Sequence, residues 1–174
     1  VVRNTIRAAL LSATRGHLAK TPGGPMAEYY RKLAWQSASF AIMADIAMGT
    51  LGGALKMREK LTGRYADILC WMYLAACTLR RFEAGGRRTD EADAAHWVLK
   101  RCMVEIQLAF DGIFRNFEIP VLGALFNGPV AMWSRLNRFG SEPSDRLGHR
   151  LAAEIQLPGT LRETMSQGVF IPKD

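Results

Sequence analysis

The side chains that could bind a metal or act as a catalytic base are few and widely spaced in this sequence. Its histidines are His17, His96 and His149, and none has a second histidine at the four-residue spacing of helical metal sites. Each is predicted to be a surface or packing histidine. Asp45 is the only charged residue between positions 38 and 55. With no second carboxylate or histidine nearby, Asp45 is expected to be satisfied by a Lys or Arg of another helix rather than to act in catalysis.

The cysteines are three in number, Cys70, Cys77 and Cys102, and no two have the spacing of a metal site. An odd count of this kind favours free thiols in a reducing compartment. Cys70 and Cys77 lie seven residues apart and share one face if the segment is helical. We expect both to pack as small apolar residues, which is the commonest role of a buried cysteine.

A glycine-rich stretch runs from Gly49 to Gly53, but it follows no predicted strand and therefore lacks the context of a phosphate-binding loop. Glycine inside a helix costs roughly 1 kcal/mol relative to alanine, so Gly49, Gly52 and Gly53 need a structural reason. We predict that they allow close contact with a neighbouring helix. The alternative is that the helix breaks there.

The composition indicates one globular domain: 174 residues, 49% hydrophobic and 22% charged. It excludes disordered, collagen-like and disulfide-scaffold classes. The net charge of +7 favours an acidic partner such as lipid headgroups or nucleic acid. No apolar run is expected to be long enough to span a bilayer, and no signal-peptide layout opens the chain. Since it begins Val1-Val2 without Met, we expect a segment of a longer polypeptide.

Helical periodicity dominates, and no stretch alternates apolar and polar residues as a strand would, so the fold class is predicted to be all-α. The predicted architecture is an antiparallel helical bundle over residues 1–117, followed by an irregular C-terminal third with short helices. Thr62 is expected to cap the third helix, and Gly85-Gly86 to end it. The predicted helices of the bundle are 2–16, 26–60, 62–84 and 90–117.

The C-terminal third is predicted to contain two parts. Residues 118–142 form an apolar segment interrupted by proline and glycine, in which one long regular helix is not expected. Residues 143–174 form a tail of short helices, the first capped by Ser144 or Asp145 and ending near Gln156, the second capped by Thr160 and ending near Gly168.

The uncharged stretch from Ile119 to Trp133 precedes two arginines, an order that suits insertion into the headgroup region of an anionic membrane. It is too short to span a bilayer. The alternative is that its side chains cover the open end of the bundle or lie in a subunit interface. The membrane or interface candidates are Leu122, Leu125, Phe126, Trp133, Arg135 and Arg138.

Several separated motifs resemble, in order, the C-terminal region of the bacterial long-chain-type acyl-CoA dehydrogenases. The resemblance covers nearly the whole chain and is loosest between residues 117 and 140. The motifs are residues 28–31 (EYYR), residues 41–83, His96-Trp97, residues 143–150 (PSDRLGHR), residues 156–158 (QLP) and residues 168–172 (GVFIP).

This resemblance implies a parent flavoprotein that uses FAD to oxidise fatty acyl-CoA to trans-2-enoyl-CoA in β-oxidation. In that family a glutamate removes the α-proton and the flavin N5 accepts the hydride. Both lie in the dehydrogenase body upstream. No catalytic, cofactor-binding or metal-ligating residue is therefore assigned to this segment, and whether it belongs to a working enzyme depends on that body.

The implied partners are the dehydrogenase body of the same polypeptide, further copies in a homo-oligomer and an anionic membrane surface. The segment would then serve subunit association and membrane docking, in the cytoplasm or peripherally on the inner membrane face. Two alternatives stay open: an independent basic membrane-surface module, and a basic helical nucleic-acid-binding domain. The basic residues are spread over several helices, so no nucleic acid is expected as a partner.

Overall fold

The computed structural model describes residues 2–170, which contain helices and no strand. The predicted all-α class is confirmed. Val1 and residues 171–174, which include the end of the predicted tail and of its GVFIP motif, lie outside the described residues. The helices are α1 Val2–Ala13, α2 Ala27–Leu51, α3 Glu59–Ala84, α4 Thr89–Arg115, α5 Pro120–Leu125, α6 Ala131–Leu136, α7 Asp145–Gln156 and α8 Thr160–Ser166.

The α3–α4 hairpin is the centre of the bundle. α3 ends before Gly85, whose N–H donates to the Arg81 carbonyl, and Asp90 and Glu91 occupy the first turn of α4, where the helix dipole favours acids. A short turn between two long helices makes them antiparallel. α2 packs on α3, and α1 packs on α2. The core residues that are almost fully buried include Ile68, Leu79, Leu99, Met103, Ile106, Phe110 and Ile113.

The second predicted helix, 26–60, is shorter in the structure. α2 stops at Leu51, a 3₁₀ segment follows over Gly52–Met57, and α3 already begins at Glu59. The prediction that Thr62 caps α3 is wrong, because Thr62 lies inside the helix. Its hydroxyl donates to the carbonyls of Arg58 and Glu59.

The three glycines near the end of α2 face open space where a side chain would project. Gly49, Gly52 and Gly53 are exposed, and a Cβ placed on any of them would meet no atom within 4 Å. Gly52 has φ of 50° and ends the helix, a conformation that favours glycine. The alternative interpretation, a break in the helix, describes this region.

The segment Ala27–Met57 is long and apolar enough to cross a membrane, with a mean hydropathy of 1.4, contrary to the sequence expectation. Only 22% of that window is buried in this chain. Length and composition alone do not separate a membrane span from the core helix of a soluble protein. Asp45, in the middle of it, accepts a hydrogen bond from Asn4 Nδ2 at 2.9 Å, so a polar partner comes from α1.

The cysteines differ from one another in environment. All three are free thiols, but only Cys102 is buried. Cys70 and Cys77 lie on the exposed side of α3, so the expectation that both pack in the core is wrong. The seven-residue spacing placed them correctly on one face, but that face points to solvent.

The short helices α7 and α8 pack on the first half of α4. Ser144 caps α7 as predicted, since its Oγ accepts from the Leu147 N–H at 3.4 Å. Leu151 and Leu161 bury against Ala94 in a small separate cluster. An ion pair between Arg150 and Asp93 joins α7 to α4.

Candidate functional site

The segment from Pro120 to Leu136 consists of two short helices, α5 and α6, joined by a π-helical turn, so no long regular helix forms here, as the sequence predicted. Pro120 occupies the first turn of α5, where its missing N–H removes no helical hydrogen bond. Phe126–Val130 form one π-helical turn, and Pro129 lies in it. A widened turn accommodates the second proline, and α6 then continues. We call this stretch, residues 120–136, the surface helix.

The inner side of the surface helix is held by aromatic packing. The Phe126 ring lies 4.9 Å from that of Phe117 and 6.1 Å from that of Phe114, and Phe126 is only 4% exposed. Leu122 is half-buried against the same core. Phe126, and in part Leu122, therefore hold the surface helix on the bundle and do not form its outer surface.

A buried polar cluster holds α6 and the residues after it on α4. Gln107 Nε2 donates to Asp111 Oδ1 at 2.9 Å and to Ser134 Oγ at 2.7 Å. Gln107 Oε1 accepts the backbone N–H of Phe139 at 3.2 Å. Both Gln107 and Asp111 are buried. A buried amide that uses its donor and its acceptor in this way fixes the position of the chain on both sides of it.

The surface helix also contacts α1. Trp133 Nε1 donates to Ser12 Oγ at 2.9 Å, and Arg15 Nε donates to Asn137 Oδ1 at 2.8 Å. Between α1, α2, α4 and α6 lies a mainly apolar cavity of about 400 Å³. Its walls include Trp35, Met43, Phe110, Phe114, Val130 and Phe139.

The outer side of the surface helix is apolar and exposed. Val121 is 80%, Leu125 45%, Met132 63% and Leu136 68% exposed. From position 119 to position 140 the chain carries no Asp or Glu. Glu118 and Glu142, which flank this stretch, pair with Arg58 and Arg101. The exposed cations of the stretch are Arg135 and Arg138.

The structure therefore divides the six predicted residues of this stretch into exposed and buried ones. Leu125, Trp133, Arg135 and Arg138 are exposed, whereas Phe126 is buried and Leu122 partly so. The sequence interpretation missed Val121, Met132 and Leu136. Together with Leu125, these residues follow one another at intervals of four and seven residues, which indicates one face of a helix. Pro120 and Pro129, however, argued against a helix in this stretch.

The groups with the largest pKa shifts lie in the core rather than in a cleft. Burial raises the pKa of Tyr29 to about 12 and that of Cys102 to about 11, and it raises the pKa of Tyr65 as well. Tyr29 Oη lies 3.0 Å from His96 Nδ1, and Tyr65 Oη donates to the Met43 carbonyl. The raised pKa values reflect the burial of these side chains among core residues, where they serve packing.

The glycine-rich stretch does not suit the phosphates of FAD. Gly52 and Gly53 follow the C-terminal end of α2, where carbonyl groups and the negative end of the helix dipole face outward. A pyrophosphate requires the opposite end, with its free N–H groups. Within residues 2–170, no group of three or more His, Cys, Asp or Glu side chains could hold a metal ion.

The comparison with protein-family models is decisive. The whole chain, residues 1–174, matches the family described as acyl-CoA dehydrogenase, C-terminal, bacterial type. The chain belongs to this family. No solved structure matches the chain. The resemblance drawn from its sequence motifs is thereby confirmed.

Membership in this family agrees with the small number of side chains in the segment that are placed for catalysis or cofactor binding. An acyl-CoA dehydrogenase C-terminal domain is one part of a multidomain enzyme, and its partner in the same polypeptide is the dehydrogenase body. The arrangement of the domain, with structural polar clusters inside and an apolar helix face outside, suits contact with a large partner.

Proposed function

We propose that this chain is the accessory domain of an FAD-dependent acyl-CoA dehydrogenase that oxidises fatty acyl-CoA to trans-2-enoyl-CoA in β-oxidation. The domain docks the enzyme on the inner face of the membrane and takes part in subunit association. FAD and the catalytic glutamate belong to the dehydrogenase body. The residues of this domain hold the docking surface in place.

The observation that carries the docking proposal is the outer face of the surface helix. Val121, Leu125, Met132 and Leu136 are exposed together on a stretch that lacks acidic residues. A helical stretch of this length is shorter than the ~20 residues that a membrane span needs, so it would lie in the plane of the interface.

The charge distribution supports an anionic membrane as the occupant. Arg135 and Arg138 are exposed beside the apolar face. Each basic residue near an anionic surface contributes about 1 kcal/mol, in addition to the burial of the apolar side chains. Trp133 is 46% exposed, and its indole suits the boundary between headgroups and acyl chains.

Co-sedimentation with vesicles of phosphatidylglycerol and phosphatidylethanolamine tests the proposal. We expect wild type to pellet at low salt and to be released as salt rises. Leu125→Ser/Met132→Ser should reduce pelleting by about tenfold through lost apolar burial, and Arg135→Glu/Arg138→Glu by a similar factor through lost attraction to the anionic surface. Leu157→Ser, which changes an exposed leucine far along the chain on the C-cap of α7, is the matched control.

Circular dichroism establishes that each variant is folded. If both double variants pellet as wild type does, the surface helix is not the anchor, and a protein interface covers it. Because α2 is apolar enough to span a membrane, carbonate extraction of cell membranes is a second measurement. Release of the protein by carbonate is expected for interfacial docking, whereas retention would indicate insertion of α2.

A further inference from the structure

The outer face of α3 is a second exposed apolar surface, separate from the surface helix. Its inner side packs on α4 through Ile68, Ala75 and Leu79. Its outer side has no charged residue between Asp67 and Arg80. The exposed residues of that interval include Leu69, Cys70, Tyr73, Leu74 and Cys77, of which Tyr73 is 70% exposed.

These residues have the spacing of a helix-pairing seam. Asp67, Cys70, Leu74 and Cys77 follow one another at steps of three, four and three residues, and Arg80 comes three residues later. Steps of three and four place side chains along one stripe of a helix, which is how two helices meet over a long contact.

The order of residues along the stripe is self-complementary when a second α3 lies antiparallel to the first. With a two-fold axis passing between Tyr73 and Leu74, Cys70 lies level with Cys77 of the second copy. In the same register Asp67 lies level with Arg80 of the second copy. A two-fold interface uses the same patch on both subunits, so each pairing occurs twice.

A parallel arrangement lacks this complementarity, because it would place Asp67 beside Asp67 and Arg80 beside Arg80. Within residues 2–170 neither Asp67 nor Arg80 takes part in an ion pair. Both charges are thus available to a second copy. Like charges in register would oppose the parallel form, whereas opposite charges favour the antiparallel one.

We propose that two copies of this chain associate through antiparallel α3 helices, with the two-fold axis between Tyr73 and Leu74. This inference rests on the subunit-association part of the proposed function and specifies the surface and its register. It is independent of lipid, so it is tested in solution without vesicles.

Disulfide formation tests the register with the protein's own cysteines. Mild copper-phenanthroline oxidation passes two electrons and two protons from each thiol pair to dissolved oxygen. A disulfide requires Cα atoms within about 7 Å. In the proposed dimer Cys70 and Cys77 of the second copy meet, whereas two Cys77 residues lie about 10 Å apart along the axis.

We expect wild type and Cys102→Ser to form disulfide-linked dimers on non-reducing gels. Cys70→Ser and Cys77→Ser should each abolish the linked dimer, and an equimolar mixture of these two variants should restore it. Absence of a linked wild-type dimer, or a linked dimer in either single variant alone, would overturn the antiparallel register.

Analytical ultracentrifugation tests the interface without cross-linking. Asp67→Arg and Arg80→Asp should each weaken self-association by roughly five- to tenfold, and the double reversal should restore it, because two exposed ion pairs of modest strength are involved. Tyr73→Arg should abolish the dimer, whereas the control Leu157→Arg should not change it.

The two proposals fail in different ways. A monomer that still pellets with vesicles contradicts the α3 interface and leaves membrane docking intact. A dimer that does not pellet with vesicles contradicts membrane docking and supports the α3 interface. Dimers that persist in Tyr73→Arg, or a double reversal that does not recover association, would mean that the subunits meet through another surface.

Discussion

The indole of Trp133 is joined to the hydroxyl of Ser12 by a 2.9 Å hydrogen bond that connects residues 121 positions apart in the sequence. It ties the surface helix to α1, whereas the Gln107 cluster ties it to α4. The surface helix is thus held at α4 by buried polar groups and at α1 by a partly exposed one.

Ser12→Ala removes the acceptor of the Trp133 indole. We expect the free energy of unfolding to fall by about 0.5–1.5 kcal/mol, the usual contribution of a hydrogen bond, and the Trp133 emission to shift to the red as its ring gains solvent contact. Urea unfolding and fluorescence measure both effects. Ser141→Ala, at an exposed serine, is the control, and equal behaviour of the two variants would show that the bond has no role.

Gln107→Ala leaves Asp111, Ser134 and the Phe139 N–H without their common partner. The unfolding free energy should fall by roughly 1–3 kcal/mol, because the buried Phe139 N–H loses its acceptor and Ser134 and Asp111 keep only the hydrogen bond between them. Proteolysis should first cut near residues 137–142, since the Phe139 backbone is released. The exposed Gln167→Ala is the matched control. A thermal melt unchanged from wild type would contradict the role assigned to this cluster.

Gly49 and Gly52 are expected to respond in opposite directions to the same substitution. Gly49→Ala should stabilise the chain by about 0.5–1 kcal/mol, because it improves helix propensity and the added Cβ meets open space. Gly52→Ala should destabilise it by roughly 1–3 kcal/mol, since φ of 50° strains a residue with a Cβ. Urea titrations compare them. A loss of stability in Gly49→Ala would show that a partner packs there.

Alkaline pH should destabilise the fold. The pKa of Cys102 is raised to about 11 and that of Tyr29 to about 12, so above their ordinary values the unfolded chain releases protons that the folded chain keeps. The unfolding free energy should therefore decline from about pH 9 upward, first through Cys102 and then through Tyr29. Cys102→Ala should flatten the decline between pH 9 and 11. An equally steep decline in that variant would contradict the assignment.

Local signals in the sequence predicted the parts of the fold that are determined locally. Gly85 ends α3 and Ser144 caps α7 because each acts on backbone groups within a few residues of itself. The role of the Gly49–Gly53 stretch was harder to predict, since a sequence contains the same glycines whether they allow a close helix contact or end an exposed helix. Cys70 and Cys77 were placed on the correct helix, but their direction depends on where α4 packs.

The candidate site was predicted as a stretch and corrected in its details. An uncharged segment followed by two arginines pointed to residues 119–138, and four of the six residues named there are exposed. Phe126 was misplaced because its burial depends on Phe114 and Phe117, at the end of another helix. The polar cluster around Gln107 was not anticipated, since its members are 4 to 32 residues apart and only the fold brings them together.

The π-helical turn at Phe126–Val130 holds one residue more than an α-helical turn of the same rotation. Because the wide turn absorbs that residue, deleting it would leave a regular α-helical turn, with α6 in nearly the same rotational position relative to α5. Trp133 would still reach Ser12, and Ser134 would still reach Gln107. A deletion inside α6 would instead turn the residues that follow it by about 100°. The π turn is thus the place in the surface helix where the chain can lose one residue and keep its anchors.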